Sequence, residues 1–555
     1  MTEEDRFLGL AHEHFEAGYS AMPVQATTLG VHKYDNTLGD YSRSTIAESL
    51  AGLKDRQARL KTINQSALTP ADRIDCSLLA SDIALNILWY DKVAEWKRNP
   101  NFYAETPVYG IFLLLIREFA PLKDRMRSVL ARLKDVPELL QAGRDNLVNP
   151  PRVFTEVAIE TIEGGIQFFD TTVPELAADV PELRSDVLSA NDRARAAYKD
   201  FLEYLKRDLL PTSTGDFAIG KQLFEERLRT EHMLSESALE LGKLGRRTFA
   251  AIEKQMEVLA RDIDPSKTWP ELIAIGRNEF PSGEQLLDVY RNELSRLRSF
   301  IVERDLVTIP ANERLEIVDT PLFARSTLPY AAYNPPAPFE PDQKGQFWVT
   351  PLDTSAQKEQ QIEQMKEHCH YAFPIIALHE AYPGHHVQMV SSNNISSYVR
   401  KHISSNTMCE GWALYCEQLL SELGYEPSFI ASMSESRNKS KKMQLFHLFV
   451  LKDALWRAAR VIIDVGLHTQ GMTFDEGVQL LTDRVYLSKA AAVAEVRRYA
   501  MSPTQPMSYM LGKLQILALR DKLKQLPLRQ FHDYLLSSGT IPLSLVEKAV
   551  HAKIS

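Results

Sequence analysis

Apolar residues recur at three- and four-residue steps through most of this chain, and that spacing commits it to packed amphipathic helices. In 123–135 the row is Met126, Val129, Leu130 and Leu133; in 190–206 it is Ala194, Ala197, Tyr198, Phe201 and Leu205. Glycine is scarce, 24 of 555 residues, below the ~7% of average chains, which disfavours a turn-rich β fold. Helix starts are marked by Thr69 before Pro70, by Ser282 with Gln285, and by Thr473 with Glu476. From about 306 to 352 the pattern changes. Prolines cluster there, and 314–320 and 346–350 are predicted strands around a Pro-rich loop. No Gly/Ser linker, low-complexity tract or repeat interrupts the chain. The sequence therefore predicts a mainly α protein with one domain over 1–555: a helical half 1–305, a small β insertion 306–352 and a second helical half 353–555.

Composition narrows the function classes. With 44% hydrophobic and 25% charged residues the chain is of ordinary globular type. Its net charge of −9, with no basic stripe, argues against a nucleic-acid partner. No run of ~18 apolar residues predicts a membrane span, and the acidic start, MTEEDRFLGLAHEHF, lacks a signal-peptide core. The four cysteines, Cys76, Cys369, Cys409 and Cys416, show no C-x-x-C spacing. They are expected to be free thiols in a reducing compartment, so the cytoplasm is the expected location. Cys369 and Cys409 are read as small buried apolar residues rather than as ligands.

Chemistry concentrates in ALHEAYPGHHVQ, residues 377–388. Two histidines four apart on an unbroken helix share a face, but His379 and His385 are six apart and would point about 120° away from each other. His379 and His386 share a face but would sit about 10 Å apart along the axis. Neither pair can share zinc at ~2.0–2.1 Å unless the helix breaks. Pro383 and Gly384 supply the break, because proline removes a helical hydrogen bond and glycine tolerates unusual torsions. Either His385 or His386 can then swing back toward His379. A third ligand is offered downstream in NTMCEGWALYCEQLLSEL by Glu410 and Glu417.

The interval from the second histidine to Glu410 is similar to that in helical zinc peptidases of the angiotensin-converting-enzyme and thimet-oligopeptidase type. HEAYPGHH followed by EGWALYCEQL resembles more closely the bacterial domain-of-unknown-function 885 family of zinc-peptidase-like proteins. Further echoes are DVGLHTQGMTFDEG at 464–477, EVRRYAMSPTQPMSYMLGKL at 495–514 and FHDYLLSSGTIPLS at 531–544. The resemblance implies a large helical fold with a small sheet near a central cleft. It also implies one zinc ion held by His379, His385 and Glu410, with His386 as the alternative second histidine and Glu380 as general base. Glu417 is expected to orient a ligand or to be a solvated helix residue. Where this family often has Pro-Gly-Gln, the chain has Pro503-Thr504-Gln505, followed by an unusual Pro506.

The function expected is a zinc-dependent metallopeptidase acting on short peptides. Glu380 would move the proton of the attacking water. Tyr509 would donate to the oxyanion, since related helical peptidases place a C-terminal tyrosine over the metal, and His468, at a helix end or in a loop, is a second candidate. Arg498 and Tyr499 are candidate anchors for a substrate carboxylate, with a structural salt bridge as the equal alternative, and Phe347 and Trp348 lie on a strand that could pair with an extended peptide or simply pack in the core. Three alternatives use the same ligands: an amidohydrolase of small non-peptide amides, a non-haem iron oxygenase, and an inactive metal-bearing binding protein. A monomer and a dimer are equally compatible with the sequence.

Overall fold

The structure is a computed structural model that describes residues 2–554 except 322–324, 326, 327, 329 and 435. The chain forms two compact units. The first comprises Met1–Glu231 with two short excursions, Ala337–Asp342 and Ser397–Ile403; the second holds His232–Pro336, Gln343–Ser396 and Ser404–Ser555.

The first unit is built from the helices that the periodicity predicts. Leu122–Asn146, Arg152–Ala177 and Pro181–Tyr204 pack on one another. Met126, Val129 and Leu133 on the first, and Ala194, Tyr198 and Phe201 on the last, are fully buried. Thr69 caps the helix Pro70–Ile87 by accepting the Asp72 amide at 3.1 Å, which satisfies one of the four otherwise unpaired first-turn donors.

In the second unit, Ala238–Ile263 lies along the long helix Ser436–Thr469. The two approach closely at Gly245, where a Cβ would stand 2.9 Å from Val461 Cγ1. This pairing carries residues 232–305 into the second unit. Thr473 and Glu476 form the predicted capping box. Ser282 does not: a 3-10 turn, Gly283–Gln285, comes before the helix Leu286–Glu303, and its side chain makes no capping hydrogen bond.

Among the described residues, three strands make the sheet: β1 (Arg314–Asp319), β2 (Ala331–Asn334) and β3 (Lys344–Val349). Their order is β1-β3-β2, with β3 parallel to β1 and antiparallel to β2. The short β2 was not predicted, because AAYN has neither the length nor the alternation that marks a strand. The loop before it lies partly outside the described residues. The central place of β3 decides between the two readings of Phe347 and Trp348 in favour of core packing. Phe347 faces Ile317 on one side and Tyr333 on the other, so β3 has no free edge for a peptide. Both side chains are core residues, 0% and 4% exposed. Among the described residues no helix is long and apolar enough to cross a membrane.

Candidate metal centre

The helix Phe373–Glu380 stops where the sequence calls for a break, and a new helix, His385–Asn393, starts at the second histidine. The Gly384 amide bonds back to the Leu378 carbonyl at 3.1 Å. A Cβ at Gly384 would lie 1.8 Å from the His379 carbonyl oxygen, so only glycine lets the chain fold back this tightly. The turn is tied down from a third helix, Asn406–Glu422, whose Trp412 indole donates to the Pro383 carbonyl at 2.8 Å.

This fold-back brings the imidazoles of His379 and His385 together, with ring centroids 4.8 Å apart and planes at 89°. Both Nε2 atoms face one carboxylate oxygen: Glu410 Oε2 lies 3.7 Å from His379 Nε2 and 3.5 Å from His385 Nε2. The three donor atoms lie within 4.8 Å of one another. Glu410 Oε2 is buried without a hydrogen bond. Burial opposes ionisation of Glu410, but the two imidazoles hold its carboxyl far below the usual carboxylate range.

The remaining imidazole nitrogens are engaged from behind. His379 Nδ1 donates to Glu417 Oε1 at 2.7 Å, and His385 Nδ1 meets Cys409 Sγ at 3.7 Å. Glu417 is 2% exposed, so of its two expected roles the structure shows the orienting one. Burial lowers the pKa of His379, but Glu410 and Glu417 outweigh it and the net shift is upward. A donor set of two imidazoles and a carboxylate, with the far nitrogen of one imidazole held by a second carboxylate, fits a zinc ion that keeps a coordination position open.

His386 is turned away. It is wholly buried, with Nδ1 2.8 Å from the Tyr333 hydroxyl and Nε2 2.9 Å from Glu313 Oε1, to which Tyr382 also donates. Gly345 of β3 leaves it room, since a Cβ there would stand 2.8 Å from Nδ1. Of the two adjacent histidines, His385 is therefore the one that joins the cluster. Glu380 ends its helix half-buried, close enough that its charge adds to burial in raising the Cys409 thiol.

Tyr509 arrives on the helix Ser508–Lys522, its ring stacked on that of His379 with centroids 6.5 Å apart. Its pKa is raised first by burial and then by the Glu410 charge, so the phenol keeps its proton at neutral pH. The arrangement depends on two glycines at a helix crossing. A Cβ at Gly411 would come within 2.5 Å of the Gly512 Cα, and a Cβ at Gly512 within 1.8 Å of the Thr407 carbonyl oxygen. Thr504 has φ +72°, a left-handed conformation that favours glycine.

Other expected site residues are engaged by protein partners. His468 does not reach into an open space: it is 1% exposed and its Nε2 donates to the Tyr499 carbonyl at 3.0 Å. It sits inside the final turn of its helix, where neighbouring helices cover it, rather than in a loop. Arg498 pairs with Glu495 at 3.0 Å and with Gln505 at 2.8 Å. Tyr499 is buried and donates to Glu495 while accepting from Arg460 at 3.0 Å. The expectation missed Arg457 and Arg460, whose spacing of three on one helix face beside Trp456 was the available signal.

Two solved structures share the fold end to end. One, a putative lipoprotein of unknown function from Shewanella oneidensis, is 24% identical with a TM-score of 0.80, covering 99% of this chain and 100% of its own. The other, a putative lipoprotein from Colwellia psychrerythraea, is 18% identical with a TM-score of 0.83, covering 100% and 99%. These descriptions correct the cytoplasmic expectation. Unpaired cysteines, and the lack of a spanning helix among the described residues, do not report a compartment. A search of curated proteins gives no match. A sequence model of the family described as "Bacterial protein of unknown function (DUF885)" matches residues 23–550, and the chain belongs to that family.

Proposed function

We propose that the protein is a zinc-dependent hydrolase that cuts peptide or closely related amide bonds, with His379, His385 and Glu410 as the metal ligands. The observation that carries this reading is the convergence of two Nε2 atoms on one buried, otherwise unbonded carboxylate oxygen. When bound, such a cation acts as a Lewis acid toward water and toward a carbonyl. The likeness to helical zinc peptidases, with a cleft over the centre, is part of the same proposal.

The protein's own groups supply the rest. Glu380 takes a proton from the attacking water and delivers it to the leaving amine, so a C–O bond forms as the C–N bond breaks. The Tyr509 phenol donates a hydrogen bond to the oxyanion that develops on the carbonyl oxygen. Glu417 holds the His379 ring in the tautomer that leaves Nε2 free. Glu380 also favours hydrolysis over iron–oxygen chemistry, which has no use for a carboxylate base beside a ligand.

Elemental analysis of the purified protein should find one zinc per chain, and a peptide-library digest should find cleavage. His385→Ala should lose the metal, whereas His386→Ala should keep it and lose only stability, through the Tyr333 and Glu313 contacts. Equal zinc retention in both variants would refute the ligand assignment. Glu417→Gln should weaken zinc affinity about 10- to 100-fold without removing a ligand, as measured by competition with a chelating dye. An unchanged affinity would show that Glu417 is a bystander.

A further inference from the structure

The long helix Ser436–Thr469 carries Arg457 and Arg460 one turn apart, and the charges of both act on Tyr509. The Arg460 guanidinium lies over the Tyr509 ring, 4.5 Å from its centroid. Both Arg457 and Arg460 also lie over the Trp456 ring, each at 4.8 Å. Arg460 and the His379 imidazole thus both lie against the Tyr509 ring. Arg498 joins them through Glu495, which takes Arg460 at 3.1 Å and Arg498 at 3.0 Å. The only other carboxylate paired with these groups, among the described residues, is Asp453, 3.3 Å from Arg457 Nη1. Three guanidinium groups thus meet two carboxylates.

Their donors are also incompletely used. Arg460 is 5% exposed, yet its Nη1 has no hydrogen-bond acceptor, and Nε of Arg457 is likewise buried without one. Buried donors left unpaired are costly, and a ligand oxygen would relieve that cost. One uncompensated positive charge suits a monoanion, and the planar fork of arginine suits a carboxylate. An extended chain advances ~3.5 Å per residue, so a carboxylate one or two residues beyond the reacting carbonyl reaches past the Tyr509 ring.

We propose that Arg457 and Arg460 form an anion subsite of the centre, and that the substrate is an amide whose leaving amine carries a free carboxylate, as the C-terminal residue of a short peptide does. The assignment rests on the hydrolytic reading of the centre, and it makes the enzyme one that works from the C-terminus.

The test is calorimetric binding of hippurate and of hippuramide to the zinc-loaded full chain, which needs no variant. Hippurate should bind at least tenfold more tightly than the amide, and Arg457→Gln, on the half-buried member of the pair, should erase that difference. Equal affinity for the two compounds, or a preference that survives Arg457→Gln, would overturn the subsite. If hippurate is preferred but hippuryl peptides are never cleaved, the subsite stands and the hydrolase reading falls.

Discussion

Replacing Glu380 by Gln should lower kcat on a cleavable peptide by about 10³-fold or more while zinc content stays at one per chain. The substitution is nearly isosteric, and Glu380 is half-buried at a helix end, so folding should be unaffected. What changes is proton transfer, because an amide cannot accept the proton of the attacking water. His379 and His385 hold the metal through other atoms, and Glu417 still orients His379. The combination of full zinc and lost turnover separates a base from a ligand, since loss of a ligand would lower both. A kcat within tenfold of the wild type, measured on protein with verified zinc content, would place the base elsewhere. It would also reopen the reading of the centre as a binding site without catalysis.

Much of this centre was legible in the sequence because its constraint is local. A proline–glycine step between two histidines can do little except break a helix, and the break appears at 381–384. The choice between His385 and His386 was not legible from the residues alone. It is decided by Glu313 and Tyr333, which come from the β region and bind His386. Tertiary contacts of this kind leave no periodic trace. The same holds for His468, whose partner, the Tyr499 carbonyl, lies on another helix, whereas the Arg498–Glu495 pair, three residues apart on one helix, was open to a salt-bridge reading from spacing alone. Phe347 and Trp348 were placed on a strand correctly, but whether that strand was an edge depended on β2, four residues too short to announce themselves. The helices were predictable because burial repeats every turn. The division at 231–232 was not, because it depends on which helix the apolar face of Ala238–Ile263 meets.

Gly512→Ala is the substitution expected to damage the fold most. The added Cβ would sit 1.8 Å from the Thr407 carbonyl oxygen and 2.7 Å from the Gly411 Cα. Both are backbone atoms of the neighbouring helix, so no side-chain rotation relieves the clash. To restore contact distance the helices must part by roughly 1.5 Å. Overpacking that rotamers can absorb costs ~1–3 kcal/mol, and here the cost should exceed about 3 kcal/mol. The same movement displaces Tyr509, one turn before Gly512, from Glu410, the neighbour of Gly411. Zinc affinity should therefore fall together with the denaturation midpoint. Gly9→Ala is the control, because no atom lies within 4 Å of its added Cβ. It should stabilise by roughly 0.5–1 kcal/mol, since alanine loses less conformational entropy than glycine in a helix. If Gly512→Ala unfolds at the wild-type denaturant concentration and binds zinc as tightly, the glycine crossing does not set the geometry of the centre, and Tyr509 is held there by something other than the approach of these two helices.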